Sequence, residues 1–451
     1  MLSTAQAKVV IGKLLVSIAL AAPAMAETRA SLIGGGNTVD HSQVQIEANV
    51  GWLQTMFRDR NIKARTYFGA GDSAEPDVAY LALAEPSSSS TEALPNEPRV
   101  QYRRHQLPEV SGSTRKPELM EALRRDLASL PAGDDALVIF NGHGGIERAD
   151  TRNNYLKLWD DGRMTVSDLE SLLDAAPAGA PVRFVMAQCY SGAFASLIYD
   201  DPRAASGFRA NRCGFMSEAA DRLAEGCGLS LEETEFRDYT TYFFAALGGR
   251  TRSGEPIEQR VVDRDGDGVV SFRESHFYAL LSAQSTDLSR STSEQYLEGW
   301  SPWYLRWDSL AENDGSIYWS LAEEVAHRYG WDTRAATLSA LRGLYAGTVD
   351  AADARRALAQ KELRTHKEQP AGELAGDAAN ARHQALLDQQ RAAETAGRES
   401  RDATRMLTQV EKIYRLRQLA RLEQALATYG SAAERSRYAD LVHCEAGHLS
   451  P

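Results

Sequence analysis

The chain has 451 residues, of which 43% are hydrophobic and 25% charged, and a formal net charge of −12. This is ordinary globular composition with length enough for two or three domains. The acidic balance, with no dense basic cluster, argues against nucleic acid or an anionic membrane as the main partner.

The first residues carry an export pattern. Lys8 and Lys13 precede an apolar stretch over 14–22 that is too short to span a bilayer, and Ala24-Met25-Ala26 supplies an A-x-A cleavage site. Residues 1–26 are therefore expected to be a signal peptide, with a mature chain beginning at Glu27 that is periplasmic or secreted. No other segment approaches about 20 apolar residues, so no membrane span is expected.

A short strand over 30–33 ends in Gly34-Gly35-Gly36, helical spacing follows over 42–58 (Val44, Val50, Leu53, Phe57), and a second strand covers 62–68. The glycine run lacks the spacing of a phosphate loop and reads as a sharp turn below the active-site face. Residues 72–114, with four serines at 87–90 and prolines at 76, 86, 95, 98 and 108, read as one long loop. A helix is expected over 117–130, with Pro117 in its first turn.

Two runs then carry the chemistry. ALVIFNGHGG (136–145) and PVRFVMAQCYSGAF (181–194) are apolar strands that end abruptly in small or polar clusters. The first delivers His143 between glycines and the second delivers Cys189 ahead of Ser191-Gly192. A hairpin-like piece at 155–159, a helix at 164–173 and a further strand at 213–217 complete an alternation that implies a mostly parallel sheet with right-handed crossovers. Buried strands that end in tight turns present side chains at the mouth of such a sheet. A Cys and a His presented from neighbouring strands have the makings of a nucleophile and its base.

The HGG and CYSG runs resemble those of the caspase-like (clan CD) cysteine peptidases: legumains, metacaspases, caspases and gingipains. The 46 residues between His143 and Cys189 are close to the roughly 50 of caspases. The Cys-x-Ser-Gly form is closest to the legumain family, and the resemblance covers about residues 31–216. One place departs from it: an acidic residue or Gln often stands two before the Cys, where this chain has Ala187, with Gln188 adjacent. The resemblance implies a caspase-like α/β fold, a mostly parallel sheet flanked by helices, ahead of a helical C-terminal region. It also implies Cys189 as nucleophile, His143 as acid–base, and the backbone amides of Gly144 and Cys189 as oxyanion donors. Asn141 either orients His143 or only shapes the turn. Asp221 and Arg222 either line a specificity pocket or form a surface ion pair.

A nucleophilic Cys189 stays unpaired, which leaves three cysteines. Cys213 and Cys227 flank a short segment and are expected to form a disulfide worth about 3 kcal/mol, or else to be two buried thiols. Cys444 is then the odd one.

DRDGDGVVSFRE (263–274) matches the EF-hand calcium loop position by position. Asp263, Asp265 and Asp267 stand at positions 1, 3 and 5, and Gly268 at the sharp turn. Val269 offers its carbonyl at position 7, Ser271 stands at 9 and Glu274 at 12. Hard oxygen ligands at this spacing suit Ca2+. The segment before the loop, 259–262, reads as strand-like or irregular, the one after it as helical. A lone loop in an exported protein points to a structural ion.

Five tryptophans (300, 303, 307, 319 and 331) are expected to anchor a helical layer. Beyond Thr333, Met406, Val410, Ile413, Leu416, Leu419, Leu422 and Leu426 recur at helical steps, after a break at 370–376. The expected division is a catalytic domain over 27–230, a helical extension with the calcium loop and tryptophans over 231–332, and a helical region over 333–451. That last region is a hairpin, small bundle or coiled coil open to self-association or a partner. The core up to about 332 is expected to fold without it.

The reading that results is an exported cysteine endopeptidase acting on peptide or protein substrates through a thioester, with structural calcium. Two alternatives stand beside it: a transpeptidase or ligase using the same thioester, and a non-catalytic calcium-binding adhesion or scaffold protein. An esterase would need a G-x-S-x-G elbow, which the sequence lacks.

Overall fold

The structure is a computed structural model that describes residues 26–83, 98–232, 236–302, 312–368 and 377–451. The signal-peptide pattern up to Met25, the serine run, Trp303, Trp307 and the break at 370–376 lie outside the described residues.

The chain opens with β1 (Thr28–Gly35), α1 (Val44–Asp59), β2 (Lys63–Phe68) and a hairpin of β3 (Val78–Leu83) and β4 (Pro98–Arg103). Helix α2 (Lys116–Ala128) carries Pro117 in its first turn and leads to β5 (Asp135–Gly142). A small sheet of β6 (Gly144–Gly145), β7 (Tyr155–Leu158) and β8 (Gly162–Thr165) precedes α3 (Val166–Leu173), which begins with a Thr165–Asp168 capping box. Strand β9 (Val182–Met186) is followed by a hairpin of β10 (Tyr199–Asp201) and β11 (Ser206–Phe208), then β12 (Arg212–Met216).

The central sheet has the order β13-β12-β9-β5-β1-β2, with β13 (Arg290–Ser291) antiparallel and the rest parallel. Its strands are apolar on both faces, as a sheet covered on both sides requires. Alternate residues serve opposite layers. Ala136, Val138 and Phe140 of β5 pack with Leu119 and Leu123 of α2 and Leu169 of α3. Leu137 and Ile139 pack with Val50 and Leu53 of α1 and with Phe243 of α4 (Tyr239–Gly248). The fold is thus mixed α/β, with a mostly parallel sheet between helical layers and a helical C-terminal region.

Beyond α4 come the short α5 (Gln259–Val262), α6 (Phe272–Ser282), α7 (Thr292–Gly299) and α8 (Ile317–Arg328). The long helices α9 (Ala335–Glu368) and α10 (Asp377–Tyr429), and α11 (Ala432–Glu445), complete the chain. The apolar stripe Val410, Ile413, Leu416, Leu419, Leu422 and Leu426 is buried as its spacing predicts. Most of it meets Leu321 and Val325 of α8 and Trp300.

Four expectations are corrected. Residues 72–114 are not one loop, because Val78–Leu83 pairs with Pro98–Arg103 as a hairpin. The segment 259–262 is a helical turn, which sets a helix on each side of the calcium loop. The Gly34–Gly36 turn lies at the same sheet edge as His143, because Gly35 of β1 pairs with Gly142 of β5. The disulfide joins Cys213 to Cys444, not to Cys227, which is a free thiol. Cys213 lies near the start of β12 under α11, whereas residues 217–228 continue past the other end of that strand. A 14-residue spacing says nothing about which sheet edge each cysteine reaches.

The C-terminus is woven into the sheet. Thr28 N–H donates to Ser450 O at 2.8 Å, and Arg183 Nε donates to Cys444 O at 2.9 Å. The Glu445 carboxylate is fully buried and accepts from Ser293 N–H, Ser293 Oγ and Thr292 Oγ1.

Candidate active site

Strands β5 and β9 are adjacent and parallel, with Phe140 opposite Met186. His143 follows β5 by one residue and Cys189 follows β9 by three, so both leave the carboxyl edge of the sheet side by side. Strand β1 lies between β2 and β5, so the chain order reverses at the β1/β5 boundary. Open α/β sheets hold their ligands at such a switch point.

His143 is held from the β1 side. Its Nε2 lies 2.8 Å from Oε1 of Gln43, the residue that caps α1, and His41 packs edge-on with ring centroids 6.0 Å apart. If the Gln43 oxygen accepts, Nε2 bears the hydrogen; the ring also meets the His41 backbone carbonyl, which favours the protonated form. Burial first, then the charges of Lys157 and His41, pull the His143 pKa down to about 4. The imidazole is thus neutral across physiological pH.

The Cys189 thiol is half-buried. Its Sγ accepts from Ala224 N–H at 3.3 Å and lies 3.7 Å from Ala224 O. Burial pushes its pKa up, the Ala224 hydrogen bond opposes this, and the Asp287 and Glu218 carboxylates add to the rise. His143 and Cys189 are not hydrogen-bonded to each other in this form, and each is held in its neutral state.

The turn after the thiol is tightly specified. Tyr190 is left-handed at φ 61°, an uncommon conformation for a residue with a side chain. Its N–H donates to Arg222 O at 2.8 Å, and its carbonyl accepts from Asn154 Nδ2 at 3.2 Å. Ser191 Oγ accepts from Glu218 N–H at 2.9 Å and meets Ser217 Oγ at 3.2 Å, which ties this turn to the end of β12.

Gly144 is required by a close approach, since a Cβ there would overlap the Cys189 carbonyl oxygen. Lys157 N–H donates to His143 O at 2.8 Å, which sets Gly144 and Leu156 as a non-hydrogen-bonded pair. The Gly144 N–H therefore points out of that ladder, away from β7.

Other residues have different work. Asn141 does not orient His143; it donates to Thr240 Oγ1 at 2.8 Å and ties β5 to α4. Arg222 pairs with Glu411 of α10 at 3.0 Å and with Glu218 at 3.7 Å, not with Asp221. Cys227 is raised in pKa by burial and then by the nearby Cys189. Gln43 was not legible in the sequence, because only the fold brings it across from a strand 100 positions away. Gln188, which is buried with both amide atoms unpartnered, was noted there only as a neighbour of the Cys.

At the calcium loop the Asp263, Asp265 and Asp267 carboxylates converge, with oxygens within 4.8 Å of one another. Gly268 has φ 88° at the sharp turn, which favours glycine. Glu274 caps α6 through Ser271 Oγ at 2.8 Å, and its other oxygen accepts from Arg264 N–H at 2.6 Å. All these ligand atoms are hard oxygens, so the residues present fit Ca2+. The loop abuts the C-terminal tail, since Phe272 N–H donates to Gly447 O at 2.8 Å. That tail runs beside Thr28, at the sheet edge opposite the thiol.

No family model and no curated protein matches the chain. Among solved structures it is similar to protein GSU0716 from Geobacter sulfurreducens, at 14% identity and a TM-score of 0.34 over 59% of this chain and 92% of that one. It is also similar to a secreted C11 cysteine protease from Bacteroides thetaiotaomicron, at 11% identity and a TM-score of 0.25 over 45% of this chain and 54% of that one. Among the described residues, no helix is long and apolar enough to cross a membrane.

Proposed function

We propose that the protein is an exported cysteine endopeptidase with a Cys189–His143 dyad and a structural calcium ion. The observation that carries this reading is the delivery of His143 and Cys189 from adjacent parallel strands to one sheet edge, with His143 next to the β1/β5 switch point. The Gly144 amide beside them supports it further.

Cys189 attacks the scissile carbonyl after giving its proton to a base. A neutral His143 is suited to take it, directly or once substrate draws the two together. The same imidazole then protonates the leaving amine and later activates water to open the thioester. The Gly144 and Cys189 amides stabilise the oxyanion, at about 3 kcal/mol per donor. A thiol with a raised pKa and a histidine with a lowered one favour base-assisted attack over a resting ion pair.

Asp263, Asp265, Asp267, the Val269 carbonyl, Ser271 and Glu274 would hold the calcium. Bound there, an ion would neutralise the convergent carboxylates of the loop that joins α5 to α6. Its distance from the thiol supports a structural role.

The test is a fluorogenic peptide library incubated with the native chain, Cys189→Ala and His143→Ala. Cleavage lost in both variants is the expected result; cleavage retained by Cys189→Ala overturns the reading.

A further inference from the structure

Between the catalytic edge and the C-terminal helices lies an open cleft of about 650 Å³. Its charged lining consists of Arg222, Arg342, Arg415, Arg417, Arg421 and Glu411. Five guanidiniums beside one carboxylate is unusual in a chain of net charge −12.

The ion pairs of the cleft do not use up this charge. Arg415 is satisfied by Glu294 at 2.9 Å and Glu298 at 2.6 Å. The other four share two carboxylates. Arg222 and Arg342 both lean on Glu411, at 3.0 and 3.8 Å. Arg417 and Arg421 both lean on one oxygen of Glu312, at 2.7 and 2.9 Å. Glu218, 3.7 Å from Arg222, adds little, because its burial favours the neutral acid.

Donors remain free. The Arg421 Nε–H is buried without a partner, and the Arg342 and Arg421 side chains keep 58% and 36% of their exposure. Planar guanidinium forks match tetrahedral oxyanions in pairs. The rims are apolar, with Leu288, Leu338 and Tyr414 among the lining residues. The volume suits a small molecule and not a polymer.

We propose that this cleft is a binding site for a small polyanion carrying two or more phosphate or sulfate groups. One group bridges Arg222 and Arg342 in competition with Glu411, and another sits on Arg417 and Arg421. The inference is independent of the peptidase reading, since it involves neither His143 nor Cys189.

The experiment is calorimetric titration of the full chain with inorganic pyrophosphate at fixed ionic strength. Calcium-free buffer is used because pyrophosphate chelates the ion. Saturable one-site binding is expected, weakened at least tenfold in Arg342→Gln/Arg421→Gln and unchanged in Arg260→Gln, a distant exposed arginine. Glu411→Gln, which removes the competing carboxylate, should bind more tightly than the native chain. If the double variant does not fold, Arg342→Gln alone should weaken binding at least threefold. Absence of saturable binding, or equal affinity in the native chain and the arginine variants, overturns the proposal.

Discussion

Gln43 holds the imidazole of His143, with 2.8 Å between Oε1 and Nε2. The contact holds the ring from the side of α1. If His143 is the acid–base group, its loss should lower turnover by at least about 100-fold. Gln43→Ala should lower kcat about tenfold with a smaller change in KM, because it frees the ring without removing it. A Gln43→Ala variant with native kcat and an unshifted pH profile would show that the amide serves only the turn before α1, through Asp40 O.

The depressed pKa of His143 sets two pH dependences. If His143 is the acid–base group, the acid limb of kcat/KM for the free protein should fall near pH 4, not near the 6.5 of an ordinary histidine. The unfolded chain binds a proton at this site below about 6.5 and the folded chain only below about 4. Stability linked to His143 is therefore complete above pH 6.5 and declines as pH falls through that window. Melting temperature followed from pH 7 to 4 should fall less steeply in His143→Asn than in the native chain.

Gly144→Ala tests the close approach between the His143 and Cys189 loops. The added methyl would overlap the Cys189 carbonyl oxygen, so the loop bearing Cys189 must move. Misplacement by about 1 Å costs on the order of 100-fold in rate. Activity should be lost while circular dichroism stays native; full activity in this variant would mean that the two loops are not held together.

These sites were unequally legible in the sequence. The strands that lead to His143 and Cys189 could be read because unbroken apolar runs mark buried strands, and the two residues lie one and three positions past the strand ends. The hairpin at 78–83 and 98–103 was hidden by the proline- and serine-rich stretch between its strands. The Cys213–Cys444 bridge spans 231 positions, and no local pattern reports on a contact of that range. Gln43 and Glu445 act only through tertiary neighbours, so nothing in their own surroundings distinguishes them.

Calcium should raise the melting temperature, and Asp265→Asn/Asp267→Asn should abolish the rise. Binding to the native state alone is worth about 1.4 kcal/mol at ten times Kd. Without calcium the variant should be at least as stable as the native chain, because it removes repulsion among three convergent carboxylates. Catalytic rate at saturating calcium should be the same in both, since the loop lies at the edge opposite the thiol. A melting curve indifferent to calcium and chelator would count against the site.

The composition change at Thr333 invites a cut there, but the fragment 27–332 should not fold. It would lose Cys444 and with it the bridge to Cys213, worth on the order of 4–5 kcal/mol by loop-closure entropy. It would also lose Arg415, leaving the fully buried Glu294 with His276 and the Ser291 N–H but without its guanidinium partner. Breaking a buried pair in this way costs about 3–5 kcal/mol. Leu321, Val325 and Trp300 would lose their partners on α10, at about 1.5–3 kcal/mol for each large apolar side chain. Together these losses match or exceed the whole stability of a typical domain, about 5–15 kcal/mol. Expressed alone, 27–332 should be insoluble or bind a hydrophobic dye. The full-length Cys444→Ser variant should be soluble but melt at a lower temperature, and Cys227→Ser should melt like the native chain. A soluble, cooperatively melting 27–332 fragment would show that α9, α10 and α11 are an appendage to the core and not part of one folding unit.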